Sequence, residues 1–320
     1  MNGLPRYAFF GSGIFAAECL ELLSEWHVPS WIVTSPRKAS GRGNKVSPTP
    51  VGGMVSRFCS LRGIPLLETA SASSDEAVLD MKSKCPVDFS FVIDFGQLIR
   101  EPLLALEERI GCLNIHPSEL PLYRGAAPIQ RALMDGASSI GVSIFKLAAQ
   151  MDAGPVLLGE TIQVGPRDDS GSLMSKAAEA GVSAFIRFAS ANPLDSWIFE
   201  DQDESRAAYA PKISAAEERI DWRRSARDIV RLTRALSPKP GAWTTLRGRR
   251  LLILSAREAS CTEGPETCLP GELRFDKTNS LAGTGDGFVE IVTVQPEGGK
   301  PQPASAWKNG LRAGAGECMI

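Results

Sequence analysis

Residues that bind metal ions or form disulfides are scarce in this sequence. Its 320 residues include only two histidines, His27 and His116, and seven cysteines, no two of which form a Cys-x-x-Cys pair. Scattered thiols in an odd number indicate neither a disulfide framework nor a zinc site. We therefore expect reduced thiols in a reducing compartment and chemistry that uses no metal.

Long apolar runs are also missing. No stretch reaches the roughly 18–20 apolar residues that a membrane-spanning helix requires. The start of the chain, Met1–Arg6, lacks the charged and apolar segments of a secretory signal. Hydrophobic residues make up 43% of the chain and charged residues 22%, as in ordinary globular enzymes. The sequence thus predicts a cytoplasmic protein, and its length predicts two domains.

Apolar runs of strand length alternate with helical patterns through the first part of the chain. This alternation predicts an α/β fold, with a Rossmann-like parallel sheet and helices on both faces. The runs assigned to the sheet are Tyr7–Phe10, Trp31–Thr34, Ile64–Leu67, Phe89–Ile93, Gly111–His116, Val142–Leu147 and Val156–Val164.

The pattern changes toward the end of the chain. Short apolar runs such as Leu251–Leu254 and Val289–Val294 are separated by turns rich in glycine, proline, aspartate and asparagine. Such runs predict a smaller antiparallel domain, an OB-like β-barrel. The polar stretch Asn192–Pro211 is the expected connection. We predict a first domain over residues 1–205 and a second over residues 206–320.

A glycine-rich turn follows the first predicted strand. Residues Gly11–Ala16 fit the G-x-G-x-x-A pattern of dinucleotide-binding turns. The second strand ends at Val33–Ser35 without the carboxylate that binds a ribose, although Arg37 and Lys38 could pair with a phosphorylated ribose. We favour a tight turn that packs helix on strand, and nicotinamide binding by an oxidoreductase is the alternative.

An amide and an imidazole mark the end of another predicted strand. Asn114 and His116 stand two residues apart, so their side chains point the same way at the edge where open α/β sheets bind ligands. Downstream, Asp152 lies in a turn between two predicted strands. An aspartate in a turn is usually a cap. Its combination with the earlier pair favours a catalytic role.

Together these residues resemble the folate-dependent formyltransferase family. The family signature is Asn-x-His, then Ser-Leu-Leu-Pro-x-x-Arg-Gly, then a distant aspartate. The matching positions are Asn114, His116, Ser118, Leu120, Pro121, Arg124, Gly125 and Asp152. The segments Gly125–Gln130, Glu218–Trp222 and Trp307–Gly310 are typical of the branch that acts on tRNA. The sequence departs from the pattern at Glu119 and Asp94, where extra carboxylates are expected to weaken folate binding or raise the pKa of a neighbour.

The resemblance implies transfer of a formyl group from 10-formyltetrahydrofolate to the amino group of initiator methionyl-tRNA, for translation initiation. His116 would take the amine proton, and Asp152 would orient the imidazole and stabilise its charged form. Asn114, and His116 once protonated, would donate hydrogen bonds to the formyl oxygen. The residues expected at the folate site are Phe95, Gly96, Gln97, Leu98, Ser118, Glu119, Leu120 and Pro121.

Positive charge is concentrated in two places. Residues 1–221 hold 20 Lys/Arg and 27 Asp/Glu, a net charge of −7, whereas residues 222–320 hold 15 and 10, a net of +5. The segment Pro36–Lys45 has no acidic residue, and its glycines predict a mobile loop; the resemblance implies contact with the tRNA acceptor stem. In a predicted helix, three arginines at i, i+4 and i+7 share one face. The predicted RNA contacts are Arg37, Lys38, Arg42, Lys45, Arg227, Arg231, Arg234, Arg247, Arg249 and Arg250.

Two further alternatives stay open. The same chemistry could formylate a small amine, such as glycinamide ribonucleotide or an amino sugar nucleotide, but the basic C-terminal part argues against this. A catalytically silent RNA-binding protein would have no need of Asn114, His116 and Asp152. We expect a monomer that has neither a DNA nor a membrane partner.

Overall fold

The computed structural model describes residues 4–40, 45–101, 103, 108–259, 269–275, 279–311 and 317–320, with the side chains of residues 38–40, 45 and 57–62 left aside. Contacts within the chain divide it into two compact units. The N-terminal unit comprises Met1–Gly125, Ser139–Ile162 and Met174–Tyr209. The C-terminal unit comprises Ala126–Ser138, Gln163–Leu173 and Ala210–Ile320.

Helices and strands alternate through the first two thirds of the chain. In order they are β1 (Tyr7–Gly11), α1 (Ile14–Trp26), β2 (Trp31–Thr34), β3 (Lys38–Ser40), β4 (Lys45–Ser47), α2 (Pro50–Arg62), β5 (Leu66–Glu68), α3 (Glu76–Lys84), β6 (Phe89–Ile93), β7 (Gly111–His116), α4 (Pro128–Asp135), β8 (Ser139–Lys146), β9 (Val156–Gln163) and α5 (Ser170–Ala191).

Seven of these strands form one sheet, in the order β5-β2-β1-β6-β7-β8-β9. The neighbours from β5 to β7 are parallel, and every residue of β1, β2 and β6 is buried. Strands covered on both faces read as continuous apolar runs, which is why the sequence reveals them. In this core the rings of Phe10 and Trp31 meet edge to face, with centroids 5.4 Å apart. The predicted α/β fold class is confirmed.

The direction of β8 differs from the prediction of a purely parallel sheet. Strand β8 runs antiparallel to β7, with Asn114 opposite Phe145 and His116 opposite Ser143. The connection from β7 therefore returns to the carboxyl end of β7 before β8 begins. Apolar periodicity identifies a strand but carries no information on its direction.

The basic segment after β2 also differs from the prediction. We expected a loop throughout, but β3 and β4 pair antiparallel, with Lys38 opposite Ser47 and Ser40 opposite Lys45. Three-residue strands are too short to show an alternating pattern in the sequence. The predicted RNA contact Arg42 lies outside the described residues, and so do the side chains of Lys38 and Lys45.

The C-terminal unit contains a second sheet. Its elements after α5 are α6 (Ala226–Leu236), β10 (Ala242–Leu246), β11 (Arg249–Ala259), β12 (Leu273–Phe275), β13 (Ser280–Gly283), β14 (Phe288–Pro296), β15 (Gln302–Pro303) and α7 (Ala304–Leu311). The strands pair antiparallel in the order β10-β11-β14-β13-β12, with β15 on β14. The pairings found in the described ranges do not join β10 to β12, so closure into a barrel stays a prediction.

Helix α6 packs on this sheet through one apolar face. Ile229, Leu232 and Leu236 are buried at i, i+3 and i+7, in one core with Ile253 of β11. The hydroxyl of Ser225 caps the helix by accepting from the Asp228 N–H at 3.0 Å. Across the part of the chain that the structure describes, no helix has both the length and the apolar character to cross a membrane.

Candidate active site

His116 is the last residue of β7, and its side chain is 7% exposed. Its Nδ1 lies 3.8 Å from Oδ2 of Asp152, and its Nε2 lies 3.0 Å from the backbone carbonyl oxygen of Tyr123. Because a carbonyl only accepts hydrogen bonds, Nε2 carries the hydrogen and Nδ1 of the neutral ring is unprotonated. The nitrogen that can take a proton therefore faces the Asp152 carboxylate.

The turn that carries Asp152 is closely packed. Asp152 has a backbone φ of 53°, and its Oδ2 accepts a hydrogen bond from the Gly125 N–H at 2.8 Å. Two residues later, a Cβ on Gly154 would lie 1.8 Å from the carbonyl oxygen of Lys146. Only glycine fits at such a distance from backbone. This packing fixes where the Asp152 carboxylate points.

The side chains of Gln202 and Arg124 hold this turn. Gln202 donates from Nε2 to the carbonyl oxygens of Asp152 (2.9 Å) and Gly154 (2.7 Å). Its Oε1 accepts from Nε and Nη2 of Arg124, whose side chain is fully buried and also pairs with Glu204 at 2.7 Å. Arg124 matched a family position without an assigned role. Nothing in the polar stretch around Gln202 marks it as special.

Asn114 lies where β6 and β7 separate. The ladder between these strands ends at the pair Phe91 and Leu113. The next carbonyl of β6, that of Val92, accepts instead from Asn114 Nδ2 at 2.5 Å. Asn114 Oδ1 is buried and has no hydrogen-bond partner among the described residues. Such an atom calls for a ligand or a water molecule, because unpaired buried acceptors are costly.

The loop after β6 contains four of the predicted folate residues. Phe95 is buried and meets Phe10 edge to face, so only its backbone is available to a ligand. Gln97 uses its side chain within the protein: it accepts from Ala72 N–H at 2.9 Å and donates to the Thr69 carbonyl at 2.8 Å. The open positions of the loop are Gly96, which has a φ of 73° and open space around its α-carbon, and Leu98, which is 62% exposed.

The other predicted folate residues, Ser118–Pro121, form a rigid loop. Ser118 is buried and donates to the Leu122 carbonyl at 2.7 Å. Ser143 of β8 crosslinks the loop, accepting from Leu120 N–H at 3.0 Å and donating to the Ser118 carbonyl at 2.8 Å. The backbone of Glu119 lies so close to Gly141 that a Cβ there would be 2.4 Å from the Glu119 nitrogen, while the Glu119 side chain is exposed.

The glycine-rich turn at the start of α1 receives a carboxylate from the protein itself. A Cβ on Gly13 would lie 1.6 Å from Asp94 Oδ2, and the Asp94 carbonyl accepts from the Ser12 and Gly13 N–H groups at 3.1 and 3.0 Å. Burial raises the pKa of the Asp94 carboxyl to about 6, and a hydrogen bond from the Phe15 backbone partly offsets this. A carboxylate already fills the position where a dinucleotide would place its phosphate, so the turn does not suit nicotinamide binding.

The three arginines of α6 do not form one exposed row. Arg227 is exposed and lies 3.8 Å from Glu258. The guanidinium of Arg231 packs on Gly136, where a Cβ would lie 2.0 Å from its Nη2. Arg234 donates from Nε and Nη2 to the carbonyl oxygens of residues 168 and 165, at 2.6 and 2.7 Å. Two of its five N–H donors are thereby used within the C-terminal unit, which favours a structural role for Arg234 over the predicted phosphate contact.

The other predicted RNA contacts whose side chains the structure describes are on the surface. Arg37 pairs with Glu68 at 3.2 Å, and its side chain is 60% exposed. Arg247 pairs with Glu317. Arg249 is exposed at the start of β11. Arg250 lies over the Trp243 ring, 4.6 Å from its centroid.

Metal ligands are not grouped near these residues. Within the described ranges, no cluster of three or more His, Cys, Asp or Glu side chains is arranged to hold an ion. The chemistry available at the end of β7 is proton transfer and hydrogen bonding, supplied by an imidazole, a carboxylate and a carboxamide.

A mixed α/β sheet with an imidazole and a carboxylate facing each other at a strand end, followed by an antiparallel unit, is the arrangement of an enzyme that can catalyse group transfer through proton transfer. The chain matches the Formyl transferase family over residues 6–189 and the Formyl transferase, C-terminal domain, family over residues 212–312. The chain therefore belongs to the formyl transferase family.

Relatives of nearly full length are named for one activity. The methionyl-tRNA formyltransferase of Roseiflexus castenholzii is 36% identical over 316 residues, which cover 98% of each chain. That of Thermobifida fusca is 35% identical over 320 residues, again covering 98% of each. HypX from Aquifex aeolicus, solved in complex with tetrahydrofolic acid, has the same fold, with a TM-score of 0.62 and 17% identity over 98% of this chain and 49% of that protein.

Proposed function

We propose that this chain transfers a formyl group from 10-formyltetrahydrofolate to the amino group of initiator methionyl-tRNA. The observation that carries the proposal is the pairing of His116 Nδ1 with Asp152 Oδ2, 3.8 Å apart, at the carboxyl end of β7 in a member of the formyl transferase family. The names of the full-length relatives support the choice of substrate. The proposal includes a cytoplasmic location, a monomer, and the division into a catalytic domain, residues 1–205, and an RNA-binding domain, residues 206–320.

In the proposed reaction, the site binds the methionyl amine in its neutral form and accepts a proton from it. His116 Nδ1 is the acceptor, because Nε2 is engaged with the Tyr123 carbonyl. Proton transfer at a positioned imidazole contributes about 100- to 10,000-fold to a rate. Asp152 stabilises the imidazolium, and Gln202 and Gly125 fix Asp152 through its carbonyl and its carboxylate.

Asn114 contacts both reactants in this proposal. Its Nδ2 has two hydrogens, one of which goes to Val92, so the second can donate to the formyl oxygen where negative charge develops. Its buried Oδ1 can accept from the attacking amine. Both halves of the carboxamide are thereby used, which accounts for the unpaired acceptor.

The folate site fits the two loops beside β7. The open backbone at Gly96 and the exposed side chain of Leu98 would receive the ring system, and the rigid loop Ser118–Pro121 would form one wall. When bound, the folate would supply the formyl carbon that the amine attacks, and the folate nitrogen would leave that carbon after taking up a proton. Phe95 and Gln97 contribute by holding the loop in shape, because their side chains are occupied within the protein.

Exposed arginines favour a tRNA over a small amine. Arg227 and Arg249 lie on the surface of the C-terminal unit. Their charges suit a phosphate backbone, which a glycinamide or amino sugar nucleotide does not provide over such an area.

The experiment is transfer of a labelled formyl group onto methionyl-tRNA, with initiator and elongator tRNA compared, for wild type and His116→Ala. We expect transfer to the initiator and a fall in kcat of about 100- to 10,000-fold in the variant. Transfer to small amines alone, or an equal rate for His116→Ala, would exclude the proposal.

A further inference from the structure

Tyr209 is a large aromatic side chain at the surface of the N-terminal unit, 62% exposed. Its backbone lies along the loop that follows His116. Tyr209 forms a parallel bridge with Arg124, and the Arg124 N–H donates to the carbonyl of the preceding residue, Ala208, at 2.8 Å. The Ala208 N–H donates in turn to the Pro121 carbonyl at 3.1 Å. The ring is therefore attached to one of the two loops that surround the imidazole.

The tip of the ring is attached to the other loop. Gln150 Nε2 donates to the Tyr209 hydroxyl at 3.2 Å. Gln150 stands two residues before Asp152, in the same turn. A ring held by its backbone at one end and by its hydroxyl at the other loses little further freedom when a ligand stacks on it.

A second apolar side chain near Tyr209 in the hydrogen-bonded loops is also exposed. Met151, between Gln150 and Asp152, is 61% exposed. Single exposed apolar residues need no explanation. Here there are two large ones: Met151 stands next to Asp152 in the turn, and Tyr209 is hydrogen-bonded to the same turn through Gln150.

We propose that the Tyr209 ring stacks on the terminal adenine of the aminoacyl-tRNA and so binds that end of the tRNA beside His116. The inference rests on the proposed function. The amino acid is esterified to the ribose of the terminal nucleotide, so an amine at His116 Nδ1 brings that adenine into the immediate surroundings of the site. Unpaired bases at RNA ends are recognised by stacking on aromatic side chains.

Kinetics of two variants separate stacking from the hydroxyl contact. Tyr209→Leu keeps an apolar side chain but removes the aromatic face, and the usual strength of base stacking predicts that KM for methionyl-tRNA rises about 5- to 150-fold. We expect kcat and the KM for the formyl donor to stay within about twofold. Tyr209→Phe keeps the ring, so its KM for methionyl-tRNA should stay within about threefold of wild type. Ile198→Ala, which truncates another exposed apolar residue of the same unit, is the control.

Fluorescence tests the contact without turnover. A tRNA is prepared with 2-aminopurine in place of its terminal adenine. Its fluorescence should be quenched on binding to wild type and to Tyr209→Phe, but not on binding to Tyr209→Leu at saturating protein. An unchanged KM for tRNA together with retained quenching in Tyr209→Leu overturns the assignment. A rise in the KM for the formyl donor alone also overturns it, because the ring then serves the folate. Quenching by a wild-type protein that transfers no formyl group supports the adenine contact while the proposed function fails.

Discussion

The side-chain amide of Gln202 donates to the backbone carbonyl of Asp152 across 2.9 Å. The same nitrogen donates to Gly154 at 2.7 Å, and the Gln202 oxygen accepts from the buried guanidinium of Arg124. The carboxylate that faces His116 is thus held through its own main chain by a residue fifty positions away. Gln202 acts on the site by positioning Asp152.

Gln202→Ala is expected to loosen that turn. It leaves two partly buried carbonyl oxygens and part of the Arg124 guanidinium without this partner, which costs about 1–3 kcal/mol of unfolding free energy. Because Asp152 then moves relative to the imidazole, kcat should fall about tenfold while the KM for the formyl donor changes little. Urea denaturation and steady-state kinetics measure the two effects. Asp201→Asn, on an exposed neighbour, should leave both unchanged; an active, fully stable Gln202→Ala would refute the positioning role.

Gly154→Ala tests the packing of the same turn from its other end. The added methyl group would lie 1.8 Å from the Lys146 carbonyl oxygen, and backbone cannot yield as a flexible side chain can. We expect a loss of about 1–3 kcal/mol in stability and a lower kcat.

The matched control is Gly159→Ala in β9, where the nearest atom to a new Cβ is 3.6 Å away. Its melting temperature should stay close to that of wild type. Equal effects of the two substitutions would mean that close packing at Gly154 is not what shapes the Asp152 turn.

Much of the sheet could be predicted because its strands are buried on both faces. The runs Trp31–Thr34, Phe89–Ile93 and Gly111–His116 have the predicted bounds. The direction of β8 could not be predicted, since alternation and apolarity are the same for a strand read either way. The short pair β3 and β4 is below the length at which a pattern can be recognised.

The candidate site was predictable to the extent that its residues form a local motif. Asn114 and His116 share a strand, and Asp152 completes a family pattern. The contacts of Gln202 with the Asp152 turn, and of Asp94 with the start of α1, join loops that meet only in the folded chain, so no spacing in the sequence indicates them. Helical spacing placed Arg234 on a face with Arg227, but it cannot tell what that face packs against.

Asp94 should make stability depend on pH in the mildly acidic range. Its pKa is raised by burial to about 6, above its ordinary value of 3.8. A carboxyl with a raised pKa contributes stability that is fully present below about pH 4 and is lost as the pH rises through about 6.

Asp94→Asn removes this dependence while keeping an acceptor for the start of α1. The variant should be more stable than wild type near pH 7, by less than about 1 kcal/mol, because the carboxyl is desolvated on the side that faces α1 while the rest of the residue is open to solvent that screens its charge. Urea denaturation of both proteins at pH 4.5 and 7.5 measures the difference. Parallel stability curves for the two proteins would show that Asp94 is not the titrating group.

Substitution of two arginines of α6, Arg227 and Arg234, should change different properties of the protein. Arg227→Ala removes an exposed charge, so tRNA binding should weaken and the slope of log Kd against log salt should fall by about 1, with stability unchanged. Arg234→Ala removes donors to two backbone carbonyls, so the protein should lose about 1–3 kcal/mol of stability while the salt slope is kept. Filter binding over a range of salt concentrations and urea denaturation distinguish the two roles. If the salt slope falls for Arg234→Ala, or does not fall for Arg227→Ala, the tRNA phosphates contact a different side of α6 from the one that carries the exposed Arg227.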